Sequence, residues 1–137
     1  MSGKPLLLDT GGWLLALAGD EPYAQALREA RPAIVPGLVL AEVDWHLRKR
    51  RGDMARLLAE VAAQAYAYEP PSLADVARAA QVEKKFADLE VGIVDASIVA
   101  LAERLEVRRI LTTDSDFAVL RMGKRWRMGF ELAVPVR

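Results

Sequence analysis

Lys4-Pro5-Leu6-Leu7-Leu8-Asp9-Thr10-Gly11-Gly12 is the stretch on which the fold turns. Three leucines in a row, closed by an acid and two glycines, match a short strand covered on both faces, as in a parallel sheet. The spacing predicts a strand over Lys4–Asp9 and a tight exit at Gly11-Gly12. Short helices should follow at Trp13–Ala18 and at Pro22–Ala30, where Pro22 suits a first turn. Ala33–Pro36, held between Pro32 and Pro36, reads as a second strand, and Gly37–Arg51 as a helix stopped by Gly52. Asp53 is placed to cap a helix from Met54 to about Ala65. Tyr66–Glu69 reads as a third strand, and Ser72 with Asp75 as a capping box opening a helix towards Phe86. Ile93–Leu105 is an amphipathic helix, Arg109–Thr113 a strand, Ser115–Leu120 a short helix and Glu131–Val136 a last strand. Strands alternating with helices predict an α/β layer fold with a mostly parallel central sheet.

The 137 residues make a single domain over 1–137, and 53% hydrophobic content is ample for one core. No apolar run reaches bilayer length, and Asp9 interrupts what would be the apolar part of a signal peptide. The expectation is a soluble cytoplasmic protein with no membrane partner. The chain has no cysteine and one histidine, His46, which removes disulfides, thiolate metal sites and imidazole clusters. Any metal must be held mainly by oxygen, which favours magnesium or manganese over structural zinc. The 19 basic and 19 acidic residues cancel, so charge distribution has to decide about nucleic acid. Basic residues gather at Arg48-Lys49-Arg50-Arg51 and across Arg121, Lys124, Arg125 and Arg127; either run alone reads equally well as a solvated face.

The acids stand at telling places. Asp9 ends the first strand and Asp114 follows Arg109–Thr113, and open parallel sheets gather ligands at the carboxyl ends of their strands. On its helix Glu42 points roughly 160–200° away from Asp44 and Arg48, towards the interior beside Leu38 and Val39. A carboxylate facing inward needs a cation, either His46 or a shared divalent metal ion. Asp95 lies at the start of the fourth long helix, where its charge is favoured. Singly, Asp9, Asp95 and Asp114 could each be a helix cap and Glu42 half of an ion pair. Together they describe a metal site able to support phosphodiester hydrolysis.

Leu7-Leu8-Asp9-Thr10, Leu40-Ala41-Glu42, Val94-Asp95-Ala96 and Leu111-Thr112-Thr113-Asp114-Ser115-Asp116-Phe117, in that order, resemble the pattern of PIN-domain ribonucleases of the VapC type. No single piece is specific; the ordered set, spanning nearly the whole chain, is. The resemblance implies a PIN-like three-layer fold, with Asp9, Glu42, Asp95 and Asp114 as catalytic metal ligands. It places the hydroxyls of Thr10 and Thr113 beside them, with Asp116 either in support or simply starting the short helix. It further implies magnesium or manganese, an RNA substrate, a cognate antitoxin protein and a homodimer. Gly11 departs from the family pattern, which often has a hydroxyl residue there. Arg48, Lys49, Arg50 and Arg51, on the helix predicted to carry Glu42, would guide a phosphate backbone to the site.

Three other readings compete. Leu7-Leu8-Asp9-Thr10-Gly11 also resembles the triplet of aspartic proteases, which need two such aspartates on β-rich domains, and this chain has one triplet followed by long helices. A magnesium-dependent phosphatase or phosphotransferase would use Asp9 as nucleophile but wants a lysine near the phosphate, and none falls at an obvious strand end. A non-catalytic RNA- or protein-binding module would tolerate loss of the acids, yet all four are present. Trp13, Trp45 and Trp126 read as core or interface, with Trp126, among basic residues, left open as a base contact.

Overall fold

Seven strands, β1 (Leu6–Leu8), β2 (Ala33–Pro36), β3 (Ala67–Glu69), β4 (Arg109–Leu111), β5 (Arg121–Met122), β6 (Met128–Gly129) and β7 (Glu131–Leu132), divide into two sheets in the computed structural model, which describes residues 3–136. The larger sheet has the order β3-β2-β1-β4-β7 with every pairing parallel. β1 is its central strand, and Leu6, Leu7 and Leu8 are fully buried, each stabilising the fold by roughly 1.5–3 kcal/mol relative to exposure. That explains the unbroken leucine run: a central parallel strand has no solvent face.

Six helices complete the layers: α1 (Thr10–Leu17), α2 (Glu21–Glu29), α3 (Gly37–His46), α4 (Arg51–Ala62), α5 (Leu73–Lys85) and α6 (Ile93–Leu105). α1 packs on α2, and α5 lies against α6. One core joins the sheet to Trp13, Val39, Val43, Met54, Leu57, Val82, Ile98, Leu101 and Phe117. Among the described residues no helix is long and apolar enough to cross a membrane.

Several expectations are corrected. Gly11 and Gly12 do not form a turn; both lie in the first turn of α1, which starts directly after Asp9. A side chain on Gly12 would meet the backbone of Leu111 at 2.5 Å, and one on Gly11 would meet Thr113 Oγ1 at 2.1 Å. The glycines are there because α1 presses on β4. The helix expected over Gly37–Arg51 ends at His46, and the chain turns so that Arg51 pairs back to Asp44 at 2.7 Å. Gly52 and Asp53 therefore fall inside the first turn of α4, and Asp53 is not its cap. The last strand is Glu131–Leu132 rather than Glu131–Val136, and the antiparallel β5–β6 pair was not anticipated.

The capping box at Ser72 forms as expected: Asp75 N–H donates to Ser72 Oγ at 3.1 Å and Ser72 N–H to Asp75 Oδ2 at 3.0 Å. The buried Asp75 carboxylate also accepts from Arg104 Nε at 3.0 Å, tying α5 to α6. Burial pushes its pKa up, but the Arg104 and Ser72 hydrogen bonds outweigh that and hold it below the ordinary 3.8. A depressed folded-state pKa means this contribution is complete above the unfolded value and is lost as pH falls through the folded one. The stability gap between the wild type and Asp75→Asn, read from urea midpoints, should stay constant above about pH 5 and close below pH 3.8.

Candidate active site

The strand order reverses at β1: β2 and β3 lie to one side, β4 and β7 to the other. At such a switch point the loops leaving neighbouring strands part, opening a crevice at the carboxyl edge. Asp9 follows β1 there, and Thr112, Thr113 and Asp114 follow β4.

Register decides which hydroxyl meets Asp9. Leu8 pairs with Leu111, so the next residues across the ladder are Asp9 and Thr112, whose side chains share a face. Thr112, fully buried, donates its hydroxyl to Asp9 Oδ2 at 2.6 Å and accepts from the Asp114 N–H at 3.0 Å. One hydroxyl thus fixes the carboxylate of one strand end and the backbone of the other. The resemblance implied only that the Thr113 hydroxyl lies beside the acids. That residue is exposed, with its hydroxyl against Gly11, and makes neither contact.

Thr10 reaches one of the acids. Its hydroxyl donates to Glu42 Oε1 at 2.5 Å, joining the start of α1 to α3. Glu42 is half-buried at the edge of α3, beside the buried Val39 and Val43, and its partner is Thr10 rather than His46, which is exposed. Asp114 caps the 3-10 turn Ser115–Ala118, its Oδ1 accepting from the Asp116 N–H at 2.9 Å. Asp116 lies inside that turn, which fits the simpler of its two readings, although its charge still reaches Asp95. Asp95 sits in the first turn of α6, whose cap position is Gly92. Asp9 occupies the cap position of α1 without a side-chain capping bond, so that bland role is not what it performs.

Two of the four acids respond to the charges of the others. Asp9, 6% exposed, has its pKa raised first by burial and further by Glu42 and Asp114, against lowering by the Thr112 hydroxyl and the Thr10 backbone N–H. Asp95 is pushed up to about 7, by burial and then by the charges of Asp9, Asp114, Glu42 and Asp116. Four distant segments therefore deliver carboxylates close enough to disfavour the ionisation of Asp9 and Asp95. Among the described residues no three His, Cys, Asp or Glu side chains already converge on a single coordination point. The donors are all oxygen and the mutual repulsion asks for positive charge, so the set suits a hard divalent cation. Arg48, Lys49, Arg50 and Arg51 do not share the helix of Glu42; they lie in the turn to α4 and at its first residue.

Replacing the Thr112 hydroxyl by a methyl, in Thr112→Val, should lower whatever activity Asp9 supports by about 10–100-fold, the usual cost of losing a group that orients a ligand. Circular dichroism should stay native, and kcat rather than KM should carry the loss.

The PIN domain model matches residues 6–121. The chain is 34% identical over 124 residues to Ribonuclease VapC26 of Mycobacterium tuberculosis, covering 85% of this chain and 92% of that protein. Among solved structures, the sarcin-ricin-loop-cleaving toxin VapC20 of Mycobacterium tuberculosis superposes with a TM-score of 0.68 at 23% identity, over 83% of this chain and 93% of that one. A toxin–antitoxin complex from Klebsiella pneumoniae gives 0.68 at 21% identity, over 82% and 90% of the two chains. VapBC2 of Rickettsia felis, bound to a fragment of promoter DNA, gives 0.66 at 15%, over 93% and 97%. These structural matches speak for the fold, and the family-model match and the VapC26 alignment for descent: the chain belongs to the PIN-domain family and is of the VapC type.

Proposed function

We propose that the chain is a metal-dependent endoribonuclease, hydrolysing RNA phosphodiester bonds as the toxin of a VapBC-type pair. The observation that supports this is the electrostatic reach of Asp9, Glu42 and Asp114 to Asp95, each raising the cost of ionising it, with Asp9 and Asp114 following the neighbouring strands β1 and β4. VapC26 is named a ribonuclease, and solved neighbours include toxin–antitoxin assemblies, which supports an RNA substrate and a cognate antitoxin. A homodimer and a cytoplasmic location complete the reading.

Asp9, Glu42, Asp95 and Asp114 would hold magnesium or manganese. When bound, such an ion offsets the charge that develops on a phosphodiester during hydrolysis. The protein's own part is to keep the carboxylates in place beforehand. The Thr112 hydroxyl holds Asp9, the Thr10 hydroxyl holds Glu42, and the Asp116 backbone N–H holds Asp114. Fixed orientation of this kind spares reorganisation at the moment of reaction.

The test is cleavage of end-labelled structured RNA by the purified protein with manganese, magnesium or EDTA. Cutting is expected with either metal and not with EDTA; cutting that survives EDTA would overturn the reading, and a phosphoenzyme at Asp9 would replace it with phosphoryl transfer. Binding to the folded state alone also stabilises it, so manganese at a hundred times its Kd should add about 2.7 kcal/mol to the unfolding free energy. An unchanged denaturant midpoint would count against a metal site.

A further inference from the structure

Trp45 is 62% exposed, an unusual place for a side chain that is normally well buried. It follows Glu42 on α3 by about 4.5 Å along the axis and about 60° around it, with Glu42 turned towards Thr10 on α1 and Trp45 towards solvent. The guanidinium of Arg48 lies over the ring, 3.8 Å from its centroid, and Arg48 Nη1 donates to the Trp45 carbonyl at 2.9 Å. Ring and guanidinium are therefore already stacked, and most of the indole remains open to solvent.

The charges around this pair are not equivalent. Arg50 pairs with Asp53 at 2.6 Å and Arg51 with Asp44 at 2.7 Å, which neutralises half of the basic run. Among the described residues Arg48 and Lys49 meet no carboxylate within ion-pair distance. A flat aromatic surface flanked by two free cations suits an unpaired base and its phosphates, because every base offers a π-face and every linkage a negative charge. Trp126 makes the contrast: it is half-buried, packs edge-on against Phe86, and the guanidinium over it is already committed to Glu103.

We propose that Trp45 and Arg48 form a stacking platform for an unpaired base of the RNA, one helical turn outward from Glu42, with Lys49 engaging the adjoining phosphate. The platform rests on the reading of the chain as a ribonuclease and adds residues outside the acidic cluster that would hold the RNA.

The experiment measures binding apart from cleavage. A fluorescently labelled single-stranded oligonucleotide is titrated in EDTA with the wild type, Trp45→Ala and Trp45→Phe, reading anisotropy together with tryptophan emission. Trp45→Ala should weaken binding on the order of tenfold. Trp45→Phe should keep most of the affinity but lose the quenching that stacking produces in the wild type. Equal affinity of Trp45→Ala and wild type, or no quenching on RNA binding, would overturn the platform. So would a change in the oligomeric mass of Trp45→Ala at unchanged RNA affinity, since the ring would then serve a protein interface. RNA binding lost in Trp45→Ala while the wild type never cuts RNA with metal would support the platform and sink the nuclease. Cutting by the wild type with equal binding by Trp45→Ala would do the reverse.

Discussion

Asp9→Asn should abolish metal-dependent RNA cleavage while leaving the protein folded. Groups that merely orient a site carboxylate cost about 10–100-fold when removed, so losing a carboxylate itself should cost more, on the order of a thousandfold. The isosteric amide keeps an oxygen for the Thr112 hydroxyl, so the contact at 2.6 Å can persist. It also removes a charge that burial, Glu42 and Asp114 all disfavour. In EDTA the variant should be as stable as the wild type or more so, since a buried charge held against its preference costs stability. Manganese should then no longer raise its denaturant midpoint. The combination of unchanged fold, lost metal response and lost cutting separates a missing ligand from a broken domain. Full activity in Asp9→Asn would remove the acidic cluster from the chemistry.

Gly12→Ala is expected to be strongly destabilising. By helix propensity alone the change should help by about 0.5–1 kcal/mol. Packing reverses the sign. The added Cβ would lie 2.5 Å from both the carbonyl carbon and oxygen of Leu111 and 2.7 Å from the Thr112 nitrogen. All three are backbone atoms of a segment held by β1, and the Leu111 carbonyl also accepts from the Asp9 N–H at 2.9 Å. Neither side can retreat without parting the two central strands. A loss of more than about 3 kcal/mol is expected, at the upper end of overpacking costs, seen as a lower urea midpoint or insoluble protein. Gly11→Ala meets the Thr113 hydroxyl instead, which an exposed side chain can rotate away, so it should be far milder. Equal losses in the two variants would contradict the packing described for α1.

Much of this was legible because the strong signals are local. The strand Ala33–Pro36 and the helix Ile93–Leu105 stand where prolines and apolar periodicity put them. The Ser72–Asp75 cap is a four-residue pattern that carries its own mechanism. Asp9, Asp95 and Asp114 were identified as acids at strand ends and a helix start and Glu42 as an inward-facing acid on its helix, and the fold brings Asp9, Glu42 and Asp114 within electrostatic reach of Asp95. Their role as ligands remains the proposal tested above. The misses have a common cause in register and tertiary contact. Of two adjacent threonines only one can face Asp9, and the pairing of Leu8 with Leu111, which no local pattern encodes, selects Thr112. α3 ends at His46, before Arg51 returns to Asp44, while Gly52, the apparent stop signal, sits inside the next helix. Two-residue strands such as β5 and β6 are too short to show any period.

The order of the sheet has a consequence for how the molecule is made. A ribosome delivers the chain from its first residue onward, so β1, β2 and β3 emerge well before β4. Until β4 arrives, β1 is an open edge, Asp9 lacks the Thr112 hydroxyl, and Asp114 does not yet exist. A growing chain thus carries three of the four acids and no assembled site. A protein that cuts RNA would hold its full set of acids only once β4 and Asp114 had been added.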